Sequence, residues 1–244
     1  MQSLRRIAIV PAMNEEQNVG RVVDELHAFD PALVVVVVDD GSFDRTAEVA
    51  RDHGARVLRL PFNLGIGGAV QTGFRYAFEH DYDLAVRVDG DGQHDPAQLD
   101  AVLAPVLAGE ADIAVGSRFA ALDEGGGYRS SRSRRAGIRM LAWIVSRIIG
   151  RRVTDTTSGF QALNRKAIAL FARDYPHDYP EVEATVMVFR HRLRSVEVPV
   201  SMRERGGGSS SITALRSVYY MTKVLLAIFV GLFRRNVVPE EGSA

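Results

Sequence analysis

Val34-Val35-Val36-Val37-Val38-Asp39-Asp40-Gly41-Ser42 is the stretch that settles the architecture of this chain. Consecutive β-branched residues without apolar-polar alternation suit a strand covered on both faces, the situation of a parallel strand inside an α/β sandwich. The run then breaks abruptly into turn formers, the first two of them carboxylates.

The same grammar repeats on both sides. Ile7 to Val10 reads as a strand, followed by a helix in which Val19, Val22, Val23 and Leu26 fall at i, i+3, i+4 and i+7. Asp44 to His53 reads as a helix with Gly54 as its stop, Val57 to Leu60 as a third strand, Gly67 to His80 as a third helix and Leu84 to Val88 as a fourth strand. Leu99, Val102, Leu103, Val106 and Leu107 mark a further amphipathic helix before the strand Ile113 to Val115. Such βα units build a mostly parallel sheet flanked by helices, and ligands on these sheets sit beyond the carboxyl ends of the strands.

Polar loops fall at those ends: Pro11-Ala12-Met13-Asn14-Glu15-Glu16, Asp39-Asp40-Gly41-Ser42, Asn63-Leu64-Gly65 and Asp89-Gly90-Asp91-Gly92-Gln93. Each alone is ordinary turn chemistry; four on one rim make a site. Asp89 and Asp91, one residue apart at a strand edge, can hold a hard divalent cation from two sides, which is what a diphosphate ligand needs.

Composition narrows the class. The 244 residues, 46% of them hydrophobic, can bury one large core. Cysteine is absent, which excludes disulfides and thiolate metal sites. Met1 to Arg6 leads into a strand without a secretory apolar stretch, so a cytoplasmic body is expected. Formal charge is zero, yet Gly125 to Val153 holds eight arginines and no acid, which points to an anionic partner.

The chain resembles a family 2 glycosyltransferase with the GT-A fold, close to the dolichol-phosphate mannose synthase branch. The resemblance is carried by Val10 to Glu16, Val38 to Ser42, Asn63-Leu64-Gly65, Asp89 to Pro96, Gly116-Ser117-Arg118, Thr157-Ser158-Gly159-Phe160 and Arg205 to Ser211. Met13 departs from it, standing where an aromatic residue is common. The fold implied is α/β, a Rossmann-like, mostly parallel sheet with C-terminal amphipathic or apolar helices. Residues 1–211 would form the transferase domain, 212–236 an apolar helix and 237–244 a disordered tail.

The resemblance also implies roles. Asp39 and the Pro11 to Glu16 loop would hold base and ribose, so that Pro11, Ala12, Asn14, Glu16, Asp39, Asp40, Asn63, Gly65, Asp89, Gly90 and Arg205 face a nucleotide-diphosphate sugar. Glu16 has an alternative role in favouring the start of a helix. Asp89, Asp91 and Gln93 would bind Mg²⁺ or Mn²⁺. Arg205, in a Gly/Ser-rich stretch flexible enough to bring a guanidinium to the diphosphate, is the expected catalytic partner of Asp91, with Arg118 on the acceptor side; a plain linker is the alternative reading of that stretch. Inverting transfer of one sugar is the implied reaction.

The acceptor is read from the arginines. Arg129, Arg132, Arg134 and Arg135 precede a stretch containing Ile138, Leu141, Trp143, Ile144, Val145, Ile148 and Ile149, which suits an anionic membrane surface or a lipid phosphate, or else a core-facing helix with a solvated arginine face. From Val218 to Phe233 a second apolar element follows, too short in its strictly apolar part to span a bilayer and suited to an interface, a second copy or a small membrane partner. A polyprenyl phosphate at the cytoplasmic membrane face is therefore the expected acceptor. Such a phosphate needs no general base; for a hydroxyl acceptor Asp155, Glu181 or Glu183 would be the candidates.

Other classes fit less well. The loop after Asp89 lacks the EF-hand glycine and terminal glutamate. A pyrophosphorylase or a dinucleotide oxidoreductase would place a Gly-rich loop after the first strand, where Pro11-Ala12-Met13-Asn14 stands. No Walker A sequence occurs, a non-catalytic scaffold would not need the carboxylate pair, and zero net charge without interleaved aromatics disfavours nucleic acid.

Overall fold

The structure is a computed structural model that describes residues 4–120, 132–177 and 180–203. The expected apolar helix at 212–236 and tail at 237–244 lie outside the described residues. Among the described residues seven strands form one sheet: β1 (Arg6–Ala12), β2 (Val34–Asp39), β3 (Arg56–Arg59), β4 (Leu84–Arg87), β5 (Ile113–Ser117), β6 (Gln161–Asn164) and β7 (Ser195–Pro199), in the order β3-β2-β1-β4-β6-β5-β7. All neighbours pair in parallel except β6, which runs antiparallel to both β4 and β5. The helices are α1 (Val19–Phe29), α2 (Thr46–Asp52), α3 (Gly65–Glu79), α4 (Leu99–Leu107), α5 (Arg132–Ile149), α6 (Arg165–Arg173) and α7 (Pro180–Arg190).

Strand alternation divides the core into two layers. Ala8, Val10, Val35, Val37, Val86 and Val88 pack with residues of α1 and α4 on one face. Ile7, Ile9, Val36, Val38 and Ala85 pack with Val70 and Phe74 of α3 and Ile168 and Phe171 of α6 on the other. The valine run of β2 is thus buried on both sides, as its composition requires. Gly73 lets α3 lie against β1, since a Cβ there would meet Ile9 Cγ2 at 2.3 Å.

Boundaries shift where hydrogen bonding decides them. β1 continues through Pro11 and Ala12, which pair with Val38 and Asp39, so the loop begins at Met13 rather than Pro11. Proline is tolerated there because the β1–β4 ladder ends at Ile9, leaving no donor demanded on that side. α2 begins at Thr46 rather than Asp44, because the Asp44 side chain accepts the Thr46 N–H at 3.0 Å and so holds residues 44–46 in a turn ahead of the helix. α6 was not anticipated, although Asn164 caps it by accepting from Lys166 and Ala167 N–H groups.

Leu141, Val145 and Ile149 of α5 form a separate apolar cluster with Val182 and Val186 of α7. The apolar stripe of α5 is therefore largely spent on α7, while Met140 and Trp143 remain exposed and the Arg147 guanidinium lies 5.3 Å from the centre of the Trp143 ring. No helix among the described residues is long and apolar enough to cross a membrane.

Candidate active site

Because β1, β2, β4, β5 and β7 are parallel, their carboxyl ends share one edge, and the reversed β6 delivers its leading residues, Ser158-Gly159-Phe160, to the same edge. Four loops are stitched together there. Asp40 N–H donates to the Ala12 carbonyl at 2.9 Å and Gly90 N–H to the Pro11 carbonyl at 3.2 Å. Asn14 adopts a left-handed φ of 55°, donates its N–H to Ser42 Oγ at 2.9 Å and accepts the Phe43 N–H on its side chain at 2.9 Å. Asp40 Oδ1 accepts the Leu64 N–H at 2.7 Å, and Asn63 Oδ1 accepts that of Gly65 at 2.9 Å. Gly41, with φ of 72°, could not be replaced without cost, because a Cβ would lie 2.9 Å from the Asn63 nitrogen.

Asp39 is fully buried. Its Oδ1 accepts the Ser42 N–H at 3.0 Å, while Oδ2 lies 3.3 Å from Arg59 Nε and forms no hydrogen bond. Glu16 instead spends Oε2 on the Arg45 N–H at 3.0 Å, bracing the approach to α2. That contact puts it at the start of a helix, though of α2 rather than of α1.

Asp89 and Asp91 follow β4. The Asp89 carboxylate contacts Arg87 Nη2 at 3.3 Å and faces His94 Nε2 at 3.8 Å. Burial opposes its ionisation, but the Arg87 charge and that contact hold its carboxyl below the usual range. Asp89 N–H donates to His94 Nδ1 at 3.0 Å, so the ring carries its proton on Nε2. The ring stacks on Phe160 with centroids 5.0 Å apart, and its burial keeps its pKa below the ordinary value. Asp91 Oδ1 accepts the Gln93 N–H at 3.0 Å. Carboxylate oxygens with a neighbouring amide oxygen form a hard donor set that fits Mg²⁺ or Mn²⁺. Among the described residues no group of three or more acidic, histidine or cysteine side chains is arranged to hold a metal ion, so Asp89 and Asp91 alone would not fill the shell of such an ion.

Arg118 donates from Nε and Nη2 to both oxygens of Asp155 at 2.7 Å and from Nη2 to Thr157 Oγ1 at 2.5 Å. Asp155 is fully buried and takes its place from Glu197, whose Oε1 accepts the Asp155 N–H at 2.9 Å. Thus the Gly116-Ser117-Arg118 and Thr157-Ser158 motifs form one structural unit, in which Ser158 Oγ also donates to the Gly116 carbonyl at 2.5 Å. Arg205 lies outside the described residues, as does Arg129. Arg132, Arg134 and Arg135 lie at the start of α5.

One residue at this rim escaped the sequence reading. Arg87, at the end of an otherwise apolar strand, is buried and bound to Asp89, Glu181 and the Tyr175 hydroxyl. A charge in an inward-facing strand position next to Asp89 was the available signal.

Comparison with known proteins shows the family. A polyprenol monophosphomannose synthase of Mycolicibacterium smegmatis is 31% identical over 90% of this chain and 85% of its own length. An undecaprenyl-phosphate mannosyltransferase of Micrococcus luteus is 32% identical over 86% of this chain and 88% of its own. Among solved structures, the glucosyl-3-phosphoglycerate synthase of Mycobacterium tuberculosis, crystallised with Mn²⁺, UDP-glucose and phosphoglyceric acid, superposes with a TM-score of 0.73 at 20% identity, covering 96% of this chain and 82% of that one, a likeness of fold alone. The family model described as "Glycosyl transferase family 2" matches residues 7–171, the span that carries the carboxylate rim from β1 to α6, and the chain belongs to that family.

Proposed function

We propose that the chain transfers a sugar from a nucleotide diphosphate to a membrane polyprenyl phosphate, with inversion and with Mg²⁺ or Mn²⁺ as cofactor. The observation that carries this reading is Asp89-Gly90-Asp91 at the carboxyl end of β4, locked by Gly90 to the end of β1, with the buried Asp39 at the end of β2 on the other side of β1. Asp89 and Asp91 would hold the cation, with Gln93 as a further oxygen ligand, and the cation offsets the negative charge that grows on the departing diphosphate. Asp39, with an acceptor oxygen lacking a hydrogen bond, and Asp40 serve base and ribose. Arg205 is assigned to the diphosphate from sequence.

A phosphate acceptor suits the acids at the rim. Asp155 is committed to Arg118 and Glu181 to Arg87. A phosphate monoester, whose second pKa is about 6, attacks without a base. The named acceptors of the two mannosyl-transferring relatives are lipid phosphates, and the exposed Trp143 with Arg147 on α5 offers an amphipathic contact for a membrane surface. A UDP-sugar is the favoured donor, in line with a Methanococcus voltae relative named for UDP-N-acetylglucosamine and dolichyl phosphate, 29% identical over 79% of this chain. GDP-mannose is the second reading, supported by the mannosyl names.

The test is a screen of nucleotide sugars with Mn²⁺ and a short polyprenyl phosphate, following sugar into the lipid phase. Lipid-linked product is expected; product on a water-soluble acceptor alone overturns the lipid assignment.

A further inference from the structure

The rim contains a buried cation that the transfer described above does not use. Arg87 follows Ala85 by two residues on β4 and so points to the α3/α6 side, where its side chain is 1% exposed. Its Nη2 donates to Glu181 Oε1 at 2.8 Å and to Asp89 Oδ1 at 3.3 Å, and Nη1 donates to the Tyr175 hydroxyl at 3.2 Å. A guanidinium this deep persists where its charge is met and its fork is filled.

Charge counting shows why two carboxylates share it. With Asp89 alone, the guanidinium would neutralise the carboxylate and leave a poor ligand for a cation. Glu181 restores an excess of one negative charge to the group formed with Asp89 and Arg87. The nearby charges leave that count unaltered, because His94 presents a neutral ring and Arg118 is paired with Asp155. Glu181 enters from the first turn of α7, which packs against α5, so the contact also ties the donor rim to that helix pair.

We propose that Glu181 is a positioning residue of the donor site: by sharing Arg87 with Asp89, it keeps the Asp89 carboxylate oriented and leaves the three-residue group with a net negative charge for a divalent cation bound with the nucleotide diphosphate. The role rests on the metal-dependent reading of Asp89 and Asp91. It assigns Glu181 to Arg87 rather than to general-base work, since its Oε1 accepts from the guanidinium at 2.8 Å.

The test is Mn²⁺ binding to the full chain, followed by loss of the free-ion paramagnetic resonance signal, with UDP and in parallel with GDP. Glu181→Gln retains an oxygen for Arg87 and should fold, yet bind Mn²⁺ about tenfold more weakly. Glu181→Asp restores the charge and should recover most of that loss, a rescue that a purely packing role does not produce. Equal Mn²⁺ affinity in all three chains overturns the proposal, as does a Glu181→Gln chain that loses kcat and the acidic limb of its pH profile with Mn²⁺ affinity intact, the signature of a general base. Failure of the unaltered chain to take up Mn²⁺ with either nucleotide overturns the metal-dependent reading itself, a result distinct from failure of the Glu181 role.

Discussion

Gly159 sits so close to Asp89 that a Cβ added to it would lie 2.8 Å from both carboxylate oxygens and 2.9 Å from Arg87 Nη2. A real Cβ cannot occupy that space. The glycine of the Thr157-Ser158-Gly159-Phe160 motif is thus explained by an approach between the start of β6 and the end of β4, two segments remote in sequence.

Gly159→Ala should therefore displace the Asp89 carboxylate or the Arg87 fork. A turnover loss of about a hundredfold is expected, as for catalytic groups misplaced by about 1 Å, with a stability loss of about 1–3 kcal/mol from overpacking. Initial rates and urea unfolding measure the two; unchanged turnover would show that the rim tolerates the shift.

Asp91→Ala removes a carboxylate that accepts a hydrogen bond from within its own loop, the Gln93 N–H. Turnover should fall roughly a hundredfold or more while the melting temperature changes little, because the sheet core does not depend on it. Full turnover at saturating Mn²⁺ would remove Asp91 from the cation site.

Asp155→Ala leaves Arg118, whose side chain is 8% exposed, without its counter-ion. Breaking one member of such a pair costs about 3–5 kcal/mol, so unfolding should shift to markedly lower urea. Replacing both residues by apolar ones should cost less than this single change. A single variant as stable as the parent would show that the pair contributes nothing to the fold.

Asp112 governs an acid-sensitive contact. Burial opposes its ionisation, but hydrogen bonds from the Arg194 side chain and backbone and from the Asn164 amide, together with the Arg194 charge, bring its pKa from 3.8 to about 2. A depressed folded pKa contributes stability above the unfolded value and loses it as pH falls through the folded one. Asp112→Asn should therefore be less stable than the parent above about pH 4, with the gap narrowing toward pH 2. A gap that stays constant over that range would assign the effect to packing rather than charge.

Much of the fold was legible because local rules governed it. The β2 valines permit no exposed face, and Val19, Val22, Val23 and Leu26 on α1 match a helical stripe that the core buries. β6, β7, α6 and α7 went unread. β6 and β7 are short strands whose partners lie far away in sequence, and α6 announces itself mainly through the Asn164 cap. On α5 the residues allowed both a core face and a membrane face, and packing buries Leu141, Val145 and Ile149 against Val182 and Val186.

By itself the sequence determined the parallel βα order, the edge at which the polar loops collect and the carboxylates placed there, since strand direction and side-chain chemistry follow from local pattern. The tertiary structure decided which charges meet. Arg118 is held by Asp155, Arg87 is divided between Asp89 and Glu181, and Gly159 makes room for them, because a buried charge takes its partner from whichever element the fold brings within a few ångströms.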